Sequence, residues 1–434
     1  MTLRGPLLFV VMGILFALVG FFQSWNFALS IMTYCLISAI MSLGVNMQWG
    51  YAGIFNVGIM GFTALGGVAA VLVSMPPVGE AWAAGGMGIL LAGLAVLVTV
   101  GLIVLWRERT VSRQKTWGTA VLIVLGYIVA RWLYGPASEA IEAVEPARTG
   151  YLGGLGLPIL LGWFVGGLFA AGAAWIVGKI ALGLRSDYLA IATLGISEIL
   201  IAIIKNEDWL TRGVRNVTGI PRPVPYEVNL IGQEWVINLA ASWGQSVNTT
   251  ASIIVKLSYI GLFVLVLAIL MWLAERALNS PWGRMMRAIR DNRDAAAAMG
   301  KDVTGRHLQV FVLGSAICGI AGAMLVTVDG QLTPTSYVPL RYTFLIWVMV
   351  ILGGSGNNWG AVLGGFVIWF VWTVAEDLGT DFMAMATSWM AEDSAVRAHL
   401  LDAAPHSRLF LMGLILLLVL RFAPRGLIPE KVRS

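Results

Sequence analysis

The chain has 434 residues, of which 58% are hydrophobic and only 12% are charged, with a formal net charge of +5. Soluble proteins carry roughly 25% charged residues, so the composition excludes an ordinary soluble domain and predicts a polytopic helical membrane protein. The basic residues lie mainly between apolar runs, as membrane orientation requires, and do not indicate nucleic-acid binding. Cys35 and Cys318 lie within apolar runs, which argues against a disulfide framework or a metal site.

Twelve apolar runs approach the roughly 20 residues that a helix needs to cross a bilayer. They cover residues 7–22, 25–48, 53–73, 83–106, 117–134, 155–178, 188–204, 253–275, 308–328, 340–352, 359–375 and 409–421. Short runs and Gly-rich breaks, at 48–52 and 353–358, are typical of discontinuous or re-entrant helices. We therefore expect an all-α bundle of about 10–12 transmembrane segments, forming a single domain over residues 1–434.

The distribution of Lys and Arg predicts the orientation of these segments. Most basic residues lie on the inner side if both termini are cytoplasmic, in agreement with the positive-inside rule. Residues 205–252 then form an external loop, which we expect to be an ordered turn region with one short surface helix. The segment 280–300 lies in the cytoplasm.

The segment 280–300, SPWGRMMRAIRDNRDAAAAMG, is the most charged short stretch of the chain. Ser280 is a good N-cap, Pro281 suits the first helical position, and Gly300 suits a left-handed C-cap, so we expect one helix. Trp282, Met285, Met286 and Ile289 give it one apolar face. Ion pairs are expected between Arg287 and Asp291 and between Arg290 and Asp294. Either this helix docks a cytoplasmic partner, or it is a solvated basic loop.

Small residues recur at four-residue spacing in several apolar runs, a pattern that lets helix backbones approach closely. The pattern occurs at Gly162 and Gly166, at Gly360 and Gly364, and along the row Gly314, Cys318, Gly322. We expect tight packing within the bundle at these positions and no cofactor.

The motifs of several enzyme classes are absent from the sequence. It contains no G-x-x-x-x-G-K-[ST] for a phosphate-binding loop, no H-E-x-x-H, no C-x-x-C and no G-x-S-x-G. No histidine lies within the twelve runs, which argues against haem ligation. Transport is the function class that remains.

Four ordered motifs resemble the permease subunits of branched-chain amino-acid ABC transporters, of the LivM type. They are LGVNMQWGYAGIFNVGIMGFTALGG at 43–67, LRSDYLAIATLGISEI at 184–199, SPWGRMMRAIRDNRDAAAAMGKDV at 280–303 and VMVILGGSGNNWGAVLGG at 348–365, followed by RGLIP at 425–429. Ala361 and Ser186 depart from the family pattern. Residues 76–150 resemble an insertion with two additional spans.

The resemblance implies a permease subunit, without an ATPase site of its own, in a bacterial inner membrane. Its partners would be a homologous second permease, two cytoplasmic ATPase subunits that bind the ATP, and a periplasmic substrate-binding protein. The segment 280–300 would be the contact with an ATPase. The residues that we expect to carry that contact are Arg287, Arg290, Asp294, Ala297, Ala298 and Gly300.

Polar and small residues in or beside the motifs are candidates for the translocation path or a subunit interface. They are Asn46, Gln48, Gly50, Gly53, Asn56, Glu198, Gly353 and Gly354. A charge in mid-membrane costs at least about 2.5–3.5 kcal/mol, so we expect Glu198 to face the bundle interior or a cavity. Its role is either a polar contact along the path or across a subunit interface, or a buried structural hydrogen bond. The glycines allow close approach of substrate or simply tight packing.

Three alternatives to a branched-chain amino-acid importer stay open on the sequence. The first alternative is a permease of the same family whose substrate is urea or a short-chain amide. An ion-coupled secondary transporter is a different class, but it would be expected to carry more paired carboxylates within spans than the single Glu198. A structural membrane subunit has no feature in its favour.

Overall fold

Every apolar run of the sequence lies largely on a helix in the computed structural model, which describes residues 4–109, 114–146, 148–391 and 394–430. Backbone polar groups find no water in a bilayer, so such runs fold as helices. The first helices are α1 (Arg4–Phe22), α2 (Trp25–Val45), α3 (Ile59–Ser74), α4 (Gly79–Ala81), α5 (Met87–Arg109), α6 (Gln114–Glu142), α7 (Ile159–Ala181) and α8 (Ser186–Asn206). Two π-helical segments, Asn46–Tyr51 and Trp82–Gly86, extend α2 and join α4 to α5.

The segment 205–252 contains more regular structure than the single short helix that the sequence predicts. It forms α9 (Asp208–Thr211), α10 (Glu227–Ile231) and α11 (Glu234–Trp243), and a strand β1 (Val217–Thr218). β1 pairs antiparallel with β2 (Gln331–Leu332), in the register Val217 with Leu332. The strand pair holds this segment against the C-terminal end of α15 (Val303–Asp329). Local sequence patterns do not reveal such a long-range contact.

The second half of the chain holds the remaining helices. They are α12 (Val247–Leu278), α13 (Pro281–Asp291), α14 (Arg293–Ala298), α15 (Val303–Asp329), α16 (Pro339–Gly353), α17 (Asn358–Ala386), α18 (Ala395–Ala403) and α19 (Ser407–Phe422), with 3₁₀ turns at Pro334–Ser336 and Ala404–His406.

Nine helices in the described ranges are long and apolar enough to cross a membrane, or ten if the bent pair α18 and α19 forms one span. The short apolar helices α3 and α16 are additional to these. The prediction of a polytopic all-helical membrane protein is therefore confirmed. The run at 53–73 begins its helix only at Ile59, because the preceding residues form the break after α2.

The core of the bundle is built from α3, α7 and α15, which pack against one another, and from α2, which packs against α15. A Cβ atom on Gly66 would overlap the backbone carbonyl of Gly319, and one on Gly322 would overlap the carbonyl of Thr63. Cβ atoms on Gly162 and Gly166 would lie 3.2 Å and 3.1 Å from their neighbours on other helices. These contacts confirm that the small residues mark helix–helix interfaces.

The helices α5 and α6 lie at the periphery and pack mainly against each other. Only 6% of each of these apolar spans is buried, so their outer surfaces are available to lipid. The two ends of this hairpin meet, since Pro77 and Gly153 form an isolated antiparallel bridge and the Val78 amide donates to Leu152 O at 3.0 Å. Residues 76–150 thus hold the two spans expected there, and their status as an insertion stays a prediction.

Candidate functional site: two helix breaks joined by an arginine

The first feature of the site is the break that follows α2. The helix continues as a π-helical segment to Tyr51, and Gly53 adopts a positive φ of 69°, which an L residue with a side chain adopts only with strain. The chain then runs without regular structure to Ile59, where α3 begins. A break of this kind leaves backbone groups without helical partners, and these groups need other partners inside a membrane.

Asn46 ties this break to a second one between α16 and α17. Its Nδ2 donates to Asn358 Oδ1 at 3.1 Å, and its Oδ1 accepts from the Gly356 amide at 2.9 Å. Asn358 in turn donates to Glu275 Oε1 on α12 at 3.0 Å. Asn46 is fully buried, so the two breaks form one hydrogen-bonded unit inside the chain.

Gln48 and Asn56 extend this unit towards α15 and α16. Gln48 Nε2 donates to Phe311 O at 2.9 Å and to Ser315 Oγ at 3.0 Å. Asn56 Nδ2 donates to Gln48 Oε1 at 2.9 Å, and Trp347 Nε1 donates to Asn56 O at 3.0 Å. Gln48 and Asn56 are each 1% exposed, so the polar residues of the first motif are bonded within this chain rather than presented on its surface.

The second break is covered by the C-terminal tail. Gly354 and Gly356 have positive φ values of 115° and 80°. The amides of Leu427 and Ile428 donate to Leu352 O at 2.8 Å and to Gly353 O at 2.9 Å, where the end of α16 leaves carbonyl groups free. The RGLIP motif therefore caps α16.

Arg290 on α13 connects the segment 280–300 to both breaks. Its Nη1 donates to Gly50 O and, at 2.9 Å, to Glu430 Oε2, while its Nε donates to Asp291 Oδ1 at 3.0 Å. Burial lowers the pKa of the guanidinium, but the hydrogen bonds to Glu430 and Asp291 outweigh it, so the pKa is raised. The guanidinium also lies beside Gly356, so one side chain contacts both breaks and the tail.

The segment 280–300 is two helices rather than the single helix that we predicted. Asn292 interrupts it with an extended backbone and caps α14 by accepting from the Ala295 amide at 2.9 Å. Gly300 has the left-handed conformation expected, with φ of 75°. Met286 and Ile289 are buried, so the apolar face of α13 is confirmed.

The two predicted ion pairs of this segment are wrong. Arg290 bonds to Asp291 and Glu430 instead of Asp294, and Arg287 Nη2 donates to Leu278 O at 3.2 Å. Asn292 breaks the helical register that would have brought Arg290 and Asp294 together. Asp294, Ala297, Ala298 and Gly300 are all exposed.

Glu198 lies on the exposed face of α8 and not in the interior of this chain, so its place along the path or at a subunit interface stays a prediction. The buried face of α8 consists of Leu189, Thr193, Ser197, Ile201 and Ile204. Gly195 is also exposed, and nothing lies within 4 Å of the position its Cβ would occupy. The carboxylate sits near the middle of a 21-residue apolar helix, which is a costly position against lipid.

Comparison with known proteins now separates the function classes. A model of the family described as "Branched-chain amino acid transport system / permease component" matches residues 124–420. The chain belongs to this family. Residues 43–67 with the first break lie outside the matched range, whereas the segment 280–300 and the second break lie within it. No solved structure matches the chain.

Three relatives illustrate the similarity. The probable branched-chain amino acid transport permease protein LivM of Methanocaldococcus jannaschii is 28% identical, over 90% of this chain and 90% of its own. The high-affinity branched-chain amino acid transport system permease LivM of Escherichia coli is 27% identical, over 72% of this chain and 65% of its own. The corresponding LivH of E. coli is 26% identical, over 61% and 83%. The chain is thus a permease subunit of an ABC importer.

Sequence reasoning missed three residues of the site: Glu275, Asn358 and Glu430. Asn358 lies in the motif at 348–365, beside glycines that predict a break. Its polar side chain at the start of an apolar run could have indicated a hydrogen bond at that break. Glu275 and Glu430 lie at the edges of segments rich in basic residues. Only the folded chain shows that each accepts a hydrogen bond at the breaks.

Proposed function

We propose that this chain pairs with a homologous second permease to form the pathway of an importer for branched-chain or related amino acids. Two cytoplasmic ATPase subunits bind the ATP, and a periplasmic binding protein delivers the substrate. Both termini lie in the cytoplasm of a bacterium, and the protein resides in the inner membrane. Similarity to relatives named LivM and to others named LivH supports the two-permease arrangement.

One observation carries the coupling part of this proposal: Arg290 bonds the cytoplasmic helix α13 to the carbonyl of Gly50 in the break after α2. A displacement of α13 by an ATPase then moves the two breaks, because packed elements transmit strain rather than absorb it. The small exposed side chains of Ala297 and Ala298 on α14 give the ATPase a surface that it approaches closely.

The outward position of Glu198 supports the second permease as the cover of α8. A carboxylate in mid-membrane is stable against protein or a water-filled path, and not against hydrocarbon. We assign the exposed face of α8, including Gly195 and Glu198, to the shared pathway or the interface between the two permeases.

The test is Ala298→Glu, with Ala241→Glu as the matched control. Both alanines are exposed on helices, but Ala241 lies on α11 in the loop assigned to the outer side. Glu is a good helix former, so both variants should reach the membrane at normal levels. Ala298→Glu should lose the ATPases in a pull-down and lose ATP-driven uptake in vesicles, because it places an unpaired charge in the contact. Retention of both by Ala298→Glu would show that the segment is a solvated loop.

A further inference from the structure

An open pocket lies at the C-terminal end of α12, beside the start of α13. Its volume is about 360 Å³, and it is lined by Trp272, Glu275, Arg276, Asn279 and Ser280. α12 is one of the helices long and apolar enough to cross a membrane, so its end, and the pocket with it, lies at a membrane surface.

The pocket carries more positive than negative charge. The guanidinium of Arg276 lies over the ring of Trp272, 5.2 Å from its centroid, and a guanidinium on a ring face keeps N–H donors for other partners. Arg284 lies beside the pocket, since its Nη1 donates to Asn279 O at 3.4 Å. Both arginines are exposed, and in the described part of the chain neither forms a salt bridge. They are therefore available to an anion.

The one carboxylate that lines the pocket already has partners. Glu275 Oε1 accepts from Asn358 Nδ2 at 3.0 Å, and its Oε2 accepts from Asn279 Nδ2 at 3.0 Å. Both oxygens are thus bonded to side-chain amides, so Glu275 holds the wall of the pocket and does not neutralise the two arginines.

An apolar row leads away from the pocket along α12. Leu265, Ile269 and Trp272 follow one another at four- and three-residue spacing, and each is about half exposed. Arg276 is the next member of the row, one turn beyond Trp272. Tryptophan is enriched where the hydrocarbon of a membrane meets water. The row therefore has an apolar body at the depth of the hydrocarbon and a basic end at the polar boundary.

We propose that this pocket binds an anionic phospholipid, with its phosphate on Arg276 and Arg284 and an acyl chain along the row of Leu265, Ile269 and Trp272. Guanidinium groups bind phosphate through paired hydrogen bonds, and basic pockets at the ends of membrane helices fit anionic head groups. The apolar row favours a lipid over free phosphate, because free phosphate gains nothing from contact with it. Only the choice of leaflet rests on the proposed function: with the segment 280–300 in the cytoplasm, the lipid belongs to the inner leaflet.

The experiment is native mass spectrometry of the full chain in detergent micelles that contain equal amounts of phosphatidylglycerol and phosphatidylcholine with the same acyl chains. The native chain should retain phosphatidylglycerol about fivefold more often or better, because its head group is anionic and that of phosphatidylcholine carries no net charge. Inorganic phosphate in excess is the second arm and should not displace the lipid. Equal retention of the two lipids, or displacement by phosphate, would overturn the proposal.

Arg276→Gln and Arg284→Gln should each lower the retention of phosphatidylglycerol about fivefold. The matched control is Arg421→Gln, at another exposed arginine in the last turn of an apolar helix, α19, which does not line the pocket. An unchanged retention in both pocket variants, or an equal loss in the control, would overturn the proposal, the latter because positive charge alone would then attract the lipid.

The other occupant to test is an ATPase, whose acidic side chains would also suit the two arginines. If the native chain shows no preference between the lipids and Arg276→Gln loses the ATPases in a pull-down, the pocket belongs to that contact and the lipid proposal is overturned. The comparison of lipids uses the native chain alone and needs neither ATPases nor uptake. It can therefore fail while the proposed function holds, and it can succeed if the proposed function fails.

Discussion

Arg290 and Glu430 are 140 residues apart in sequence and form an ion pair of 2.9 Å, which joins helix α13 to the C-terminal tail. Both side chains are about three-quarters buried, with 24% and 21% exposed. Pairs with this degree of burial are less screened by salt than surface pairs. The tail itself caps α16, so hydrogen bonds connect α13, the tail and both breaks.

The first prediction concerns this pair. Glu430→Gln removes the charge but keeps the shape, so ATP-driven uptake should fall several-fold while the ATPases stay bound, because Ala297 and Ala298 are untouched. Uptake and ATPase co-purification are measured on the same preparation. Glu234→Gln, at an exposed site on α11, is the control and should behave as the native protein. Unchanged uptake in Glu430→Gln would argue against a role of the tail in coupling.

The second prediction concerns the buried polar unit. Gln48→Leu leaves Asn56 and Ser315 without their partner, and an orphaned buried polar group costs about 1–3 kcal/mol. The midpoint of thermal unfolding should therefore drop by several degrees. The exposed Gln233 provides the control, since Gln233→Leu removes no buried bond. An unchanged midpoint in Gln48→Leu would mean that water or a neighbour replaces the lost bonds.

The third prediction concerns backbone contact in the core. Gly66→Ala places a Cβ against the carbonyl of Gly319 on α15, and overpacking of this kind costs about 1–3 kcal/mol. Gly172→Ala on α7 meets nothing within 4 Å and should be neutral or slightly stabilising, because Ala is the better helix former. Unfolding of both variants in detergent gives the comparison. Equal stability of the two would contradict the packing described for the core.

The fourth prediction concerns the exposed face of α8. Gly195→Trp adds bulk where this chain has open space, so the variant should express and fold when produced alone. It should fail to co-purify with the second permease if that subunit covers α8. Gly172→Trp, at an exposed position of α7, should retain the partner. Normal assembly of Gly195→Trp would place the interface elsewhere.

The fifth prediction concerns orientation. A cysteine at Asn292 should react with a membrane-impermeant maleimide only from the cytoplasmic side, and one at Asn216 only from outside. Both positions are exposed, whereas the native Cys35 and Cys318 are buried and should give no background. Reversed labelling would overturn the orientation proposed from the basic residues.

The sequence predicts the helices well because the membrane leaves apolar runs little choice of backbone structure. It also locates both breaks, since glycine runs such as 353–356 weaken a helix locally. It does not reveal that Asn292 splits the segment 280–300. Asn is tolerated within helices, and whether it starts a new helix as an N-cap instead depends on the surrounding fold. Contacts such as Arg290 with Gly50, 240 residues apart, depend on the whole fold and have no local signal. The outward direction of Glu198 likewise follows from the packing of α8 and not from its hydrophobic character.

The meeting of Pro77 and Gly153 bears on how freely the segment between them could change in length. When the two ends of a segment lie side by side at a surface, the segment can be added or deleted without re-routing the chain on either side. The α5–α6 hairpin meets this condition, and its sparse burial means that few core contacts would need to change with it. A change in the length of this hairpin would therefore leave the contacts of the two breaks and of the segment 280–300 in place.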